Sequence, residues 1–153
     1  MRIFKKKRIA LRLLVLSVIG FSLFSCGESP SEEQLKYEEE LRQVMDDHDE
    51  LMKDMSLLNR LIRQVDEKSE GQDTADYNRV KEHLKSAHKA MFDWMHDFNE
   101  EFPDINKEKD SVFTGEEYKI RLKKLSRQQE ILEKVENDFE QSIGEAEKLL
   151  KEN

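Results

Sequence analysis

The chain has 153 residues, 39% of them charged and 37% hydrophobic, with only 5 Gly and 2 Pro. That length suits one domain and the apolar share suits a small core, while the scarcity of turn formers excludes a sheet protein, which needs a turn every ~8–12 residues. The formal charge is -8, yet residues 1–25 hold six basic side chains (Arg2, Lys5, Lys6, Lys7, Arg8, Arg12) and no acid, leaving 20 basic against 34 acidic residues elsewhere; a nucleic-acid binder carries the opposite sign.

Residues 1–25 read as a secretory signal. Lys5-Lys6-Lys7-Arg8 forms the positive n-region, and Leu13 to Phe24 is an apolar run broken only by small residues. Counted from Ile9 the run is 16 residues and contains Arg12, short of the ~20 apolar residues that span a bilayer. The run ends in Leu23-Phe24-Ser25-Cys26-Gly27, which resembles a bacterial lipoprotein signal. Leu23 matches the favoured aliphatic position and Ser25 the small residue before the cysteine, whereas Phe24 is bulkier than the usual Ala or Ser. The resemblance implies that Cys26 is lipidated and becomes the mature N-terminus. Each buried CH₂ contributes ~0.8 kcal/mol, so several acyl chains hold a protein on a membrane. Cys26 is the only cysteine, so an exported domain has no internal disulfide and must rely on apolar packing.

Residues 26–31 form the lipidated cysteine and a polar tether, and 32–153 form the folded domain. Ser29-Pro30-Ser31-Glu32 offers Ser29 as an N-cap, Pro30 at the first helical position and Glu32 three residues on. The first helix, 32–67, carries an apolar stripe at Leu41, Met45, His48, Met52, Met55 and Ile62, flanked by Val44, Leu51, Leu58 and Val65. A polar loop centred on Gly71 follows, and Asp73 or Thr74 can cap the second helix, 74–102. Its stripe is Tyr77, Val80, Leu84, Ala87, Met91, Trp94 or Met95, Phe98 and Phe102. Pro103 stops it, because the residue before proline avoids helical geometry.

Asp104 to Phe113 has no periodicity and reads as a loop. Thr114-Gly115-Glu116-Glu117 is a capping box for the third helix, 114–151. Its stripe is Tyr118, Leu122, Leu125, Leu132, Val135, Phe139, Ile143, Ala146 and Leu150, with Gln129 and Glu136 as polar exceptions. At 1.5 Å per residue the three helices span about 54, 44 and 57 Å. The expected fold is all-α, an elongated antiparallel three-helix bundle. A stripe confined to heptad a and d positions is narrow, so a homodimer sharing a larger bundle stays open.

Catalytic motifs are absent. No glycine pair is spaced to cradle phosphate, no serine sits in a nucleophile elbow, and His83 and His88 are five apart, not four. Asp93-x-x-His96 occurs once, where a di-iron bundle needs two Glu-x-x-His motifs. His48-Asp49 and His96-Asp97 are adjacent on a helix and point ~100° apart, which predicts that neither aspartate orients its neighbour. The protein therefore reads as a non-enzyme without a required cofactor.

One cluster carries an alternative. Met45-His48-Met52 and His88-Met91-Met95 share the spacing i, i+3, i+7, each on one side of its helix. Folding the hairpin about Gly71 sets Val65 against Tyr77 and Ile62 against Val80, and predicts Met52 opposite Met91 and His48 opposite Met95. Thioether and imidazole suit Cu(I), so these six residues are candidate copper ligands. Methionine also fills irregular core gaps and packs on aromatics, and the two readings compete.

His48-Asp49-Glu50-Leu51-Met52, together with Met91-Phe92-Asp93-Trp94-Met95-His96-Asp97-Phe98, resembles a family of small helical lipoproteins found in Bacteroidota genomes. The similarity covers mainly residues 41–102, with a looser match through the third helix. It implies lipoprotein export and a helical fold, and it marks His48, Met52, Trp94 and Met95. The expected protein is a bacterial envelope lipoprotein, held to a membrane through Cys26. Its domain faces the periplasm or the cell surface and acts by binding an envelope protein or as a structural spacer.

Overall fold

A computed structural model describes residues 29–70, 75–103, 105 and 113–152. The segment 1–25 expected to be a signal, Cys26, the capping candidates Asp73 and Thr74, and most of residues 104–113 lie outside the described residues. Within them run three helices: α1 (Glu32–Ser69), α2 (Ala75–Glu101) and α3 (Gly115–Glu152). No strand occurs among the described residues, and no described helix is long and apolar enough to cross a membrane.

Local chemistry sets the ends. The cap of α1 is Ser31 rather than Ser29: its side chain accepts from the Gln34 N–H at 3.1 Å, with extended backbone at φ -69° and ψ 161°. Capping from Ser31 leaves Pro30 outside the helix and puts Glu32 and Glu33 in the first turn, where carboxylates favour the positive end of the helix dipole. The capping box at α3 forms as its spacing predicts. The Glu117 carboxylate accepts from the Thr114 N–H at 2.7 Å and its hydroxyl at 2.8 Å, and the Glu117 N–H returns to Thr114 Oγ1 at 3.3 Å. After α2, Phe102 closes one last turn onto the Phe98 carbonyl at 2.9 Å, and Pro103 follows.

Every helix packs against the other two. The rings of Tyr37 and Tyr118 lie 5.7 Å apart near the starts of α1 and α3, and Lys68 near the end of α1 donates to the Leu150 carbonyl at 3.0 Å. α1 and α3 are therefore parallel. Lys81 early in α2 pairs with Asp66 late in α1 at 2.6 Å, and Arg79 pairs with Glu145 late in α3 at 2.7 Å, so α2 runs antiparallel to both. The fold is an up-down-up three-helix bundle, about 57 Å long along its 38-residue helices.

The core is a heptad seam: Val44, Leu51, Met55, Leu58 and Val65 on α1 meet Tyr77, Val80, Leu84, Met91, Trp94 and Phe98 on α2 and Tyr118, Leu125, Leu132, Val135, Phe139 and Ala146 on α3. Each fully buried Leu, Val or Met side chain contributes roughly 1.5–3 kcal/mol. The α2 stripe is buried as its spacing predicts, with Trp94 taking the position it shared with Met95. The α1 stripe is corrected by one position. Its flank is the true centre, joined by Met55 from the expected stripe and by Tyr37 two turns before Val44, while Met45 and Met52 are each 36% exposed. On α3, Gln128 and Ser142 are buried in place of Gln129 and Ile143, which are half-buried, and Glu136 is exposed.

Candidate functional site

The bundle is not apolar throughout. Near its middle, the His48 ring on α1 stacks on Trp94 of α2, with centroids 5.3 Å apart and planes 23° from parallel. Trp94 also stacks on Phe98 at 5.0 Å, and its indole N–H donates to the Gln128 carbonyl of α3 at 3.0 Å. Polar ties flank this layer. Gln128 donates to Glu101 at 2.7 Å, joining α3 to α2, and Gln129 donates to Asp47 at 2.8 Å, joining α3 to α1. Among the described residues, the buried side-chain polar atoms without a partner are His48 Nε2, Gln128 Oε1 and Gln129 Oε1. All three belong to these neighbouring residues. Buried polar atoms ordinarily find partners, which makes this stretch the candidate site.

The His48 side chain is 12% exposed, and Nδ1 lies 3.0 Å from the Asp49 carboxylate. This corrects the expectation that adjacent helical residues cannot pair. The ring keeps its face on Trp94 and its distal Nε2 in the core, while Nδ1, the nitrogen nearer the backbone, meets the exposed Asp49 carboxylate. A carboxylate only accepts, so it selects the Nδ1–H tautomer and leaves the lone pair on Nε2. His96 behaves as expected: it ignores Asp97 and pairs with Glu100, one turn away, at 3.3 Å on the open surface.

The six methionine and histidine candidates do not form one group. Met91 is fully buried in the core. His88 accepts from the Asn59 amide at 3.2 Å and lies 5.0 Å from the Phe92 ring. Val65 and Tyr77, expected to face each other, both lie in the shared core, while the lower end of the hairpin departs from the expected register by one residue. His48 stacks on Trp94, the residue before the expected Met95. A second row runs along the rim of the same seam. Asp66 pairs with Lys81 and Asn59 with His88, each pair seven residues from the last on both helices. A further heptad step puts Met52 level with Met95, and one more puts Met45 level with Phe102. Met95 is half-buried against the core.

Elsewhere the chemistry is electrostatic. Arg79 and His83 converge on Glu145 at 2.7 and 3.4 Å, and the Arg79 hydrogen bond, then that of His83, holds the Glu145 carboxyl below its ordinary range. Two open clefts lie between α1 and α3. One of about 250 Å³ is bordered by Val44, Leu125 and Gln129 and rimmed by Glu40, Glu130 and Glu133; the other, about 420 Å³, lies beside Leu61 and Leu150. Among the described residues no three His, Cys, Asp or Glu side chains are grouped to hold a metal ion. Sequence reasoning missed Gln128, Glu101 and the tie between Asp47 and Gln129. The available signal was Trp94 itself, since a buried indole N–H needs an acceptor. Searches of protein-family models, curated proteins and solved structures found no match to this chain.

Proposed function

We propose that the protein is an exported lipoprotein, anchored in a bacterial envelope membrane through acylated Cys26, whose helical bundle binds an envelope protein without catalysis. The observation that carries this reading is Ser25-Cys26 at the end of a basic and then apolar leader. The bundle supports it in kind. Among the described residues, most ion pairs link residues three or four apart on exposed helix faces, as at Lys36–Glu40 and Lys89–Asp93; such pairs keep the helix faces solvated and contribute little to stability. The resemblance of residues 41–102 to small Bacteroidota lipoproteins points the same way.

The test is Cys26→Ser in cells fed a fatty-acid probe. The wild type should label and sediment with membranes, and a cross-linker added to intact cells should join it to an envelope protein. The variant should lose both label and sedimentation. A variant that still labels, or fractionates unchanged, overturns the anchor; a wild type that cross-links to nothing leaves the spacer role in place of partner binding.

A further inference from the structure

We propose that His48, Met52 and Met95 form a Cu(I) site in the seam between α1 and α2. The inference starts from His48 Nε2, which is buried and has no partner. Its lone pair needs a proton donor or a cation. Asp49 holds the opposite nitrogen at 3.0 Å, which is how metal-bound imidazoles are generally oriented: the second ring N–H goes to a carboxylate or carbonyl, fixing the tautomer and raising the basicity of the ligating nitrogen.

The surrounding groups select the ion. The described residues hold no cluster of His, Cys, Asp or Glu that would suit zinc or a harder cation. The side chains that sequence position sets beside His48 are thioethers. Met52 lies one turn along α1, and Met95 adjoins Trp94, on whose indole the His48 ring rests. The heptad row through Asp66–Lys81 and Asn59–His88 brings those two methionines level on the rim of the seam. One imidazole with two thioethers is a soft, low-coordinate donor set, and soft ligands select Cu(I). Met52 is 36% exposed, which gives the ion a way in from solvent. The other three candidates fall away on position: Met91 is core, His88 is engaged by Asn59 a heptad away, and Met45 lies beyond the layer, level with Phe102.

Trp94 makes the site its own reporter, because it is the only tryptophan in the chain and stacks on the proposed ligand. The protein, purified from membranes in detergent under reducing conditions, is titrated with Cu(I) against a chromophoric Cu(I) chelator while indole emission is followed. One equivalent should bind in competition with the chelator and quench Trp94. Asp49→Ala should weaken binding by about tenfold, the usual cost of losing an outer hydrogen bond. Met52→Leu and Met95→Leu, which nearly conserve volume, should each weaken it more, and Met91→Leu should leave it unchanged, with the helical spectrum intact throughout. Three results would overturn the site: no competition with the chelator, which leaves a bound water as the partner of Nε2; stoichiometric binding that survives Met52→Leu with Met95→Leu; or binding that leaves Trp94 emission untouched.

Discussion

Trp94→Phe probes the layer on which both the bundle and its candidate site depend. The indole is 2% exposed and bridges all three helices, stacked on His48 and Phe98 and bonded to the Gln128 carbonyl. Phenylalanine keeps a ring in the slot but loses the N–H, which contributes ~1 kcal/mol. It also loses part of the stacking, worth about 0.5–1 kcal/mol, and roughly 40 Å² of apolar burial, or ~1 kcal/mol. The Gln128 carbonyl lies within α3 and retains its helical acceptor role, so no orphaned group adds to the cost. The expected loss is therefore about 2–3 kcal/mol, with a melting point lower by on the order of 10 °C. Urea unfolding of residues 27–153 followed by far-ultraviolet dichroism measures it. A loss under ~0.5 kcal/mol, the range of ordinary surface changes, would refute the assignment of Trp94 as a three-helix tie.

Leu84 is fully buried mid-seam, so Leu84→Asp should cost several kcal/mol by burying an unpaired charge; a cooperative melt at wild-type temperature would contradict the core. Gly144 lies inside α3, and nothing stands within 4 Å of where a Cβ would go. Gly144→Ala should thus raise stability by about 0.5–1 kcal/mol through helix propensity alone, and a decrease would place an unseen contact there. Stability should also fall in acid. The Lys81 hydrogen bond depresses Asp66, the Thr114 N–H depresses Glu117, and Arg79 depresses Glu145, from ordinary values of 3.8 to 4.5. A carboxylate depressed in the folded state contributes fully above its unfolded value and loses that contribution as pH drops through the folded one. Urea midpoints should therefore hold from neutral pH to about pH 5 and decline below it, and Glu145→Gln should flatten the decline; midpoints constant into strong acid would remove these pairs from the account.

Much of this fold is legible in the sequence because the α2 stripe leaves only one place open, between Trp94 and Met95. Tyr77, Val80, Leu84 and Ala87 sit in a-d alternation with polar residues between them, and the same spacing runs on through Met91 and Phe98. α1 is harder because Met45 and Met52 follow Val44 and Leu51 directly. Two adjacent apolar residues both satisfy a spacing of three or four, and hydrophobicity alone cannot choose between them. Packing chooses the branched residue for the seam and leaves the flexible methionine on the rim. The same ambiguity hid Gln128 beside Gln129. The pairing of His48 with Asp49 was illegible for another reason: backbone direction separates neighbours on a helix, but the reach of an imidazole and a carboxylate depends on rotamers that only packing fixes.

The central claim is that Cys26 is the lipidated first residue of an envelope-anchored bundle. Intact mass spectrometry of the protein extracted from membranes tests it most directly, with sequencing of its N-terminal peptide. The account predicts a chain beginning at Cys26, lacking residues 1–25 and heavier than its peptide mass by acyl chains on that cysteine. A mature chain beginning at any other residue, or one carrying Cys26 as a free thiol, would contradict it.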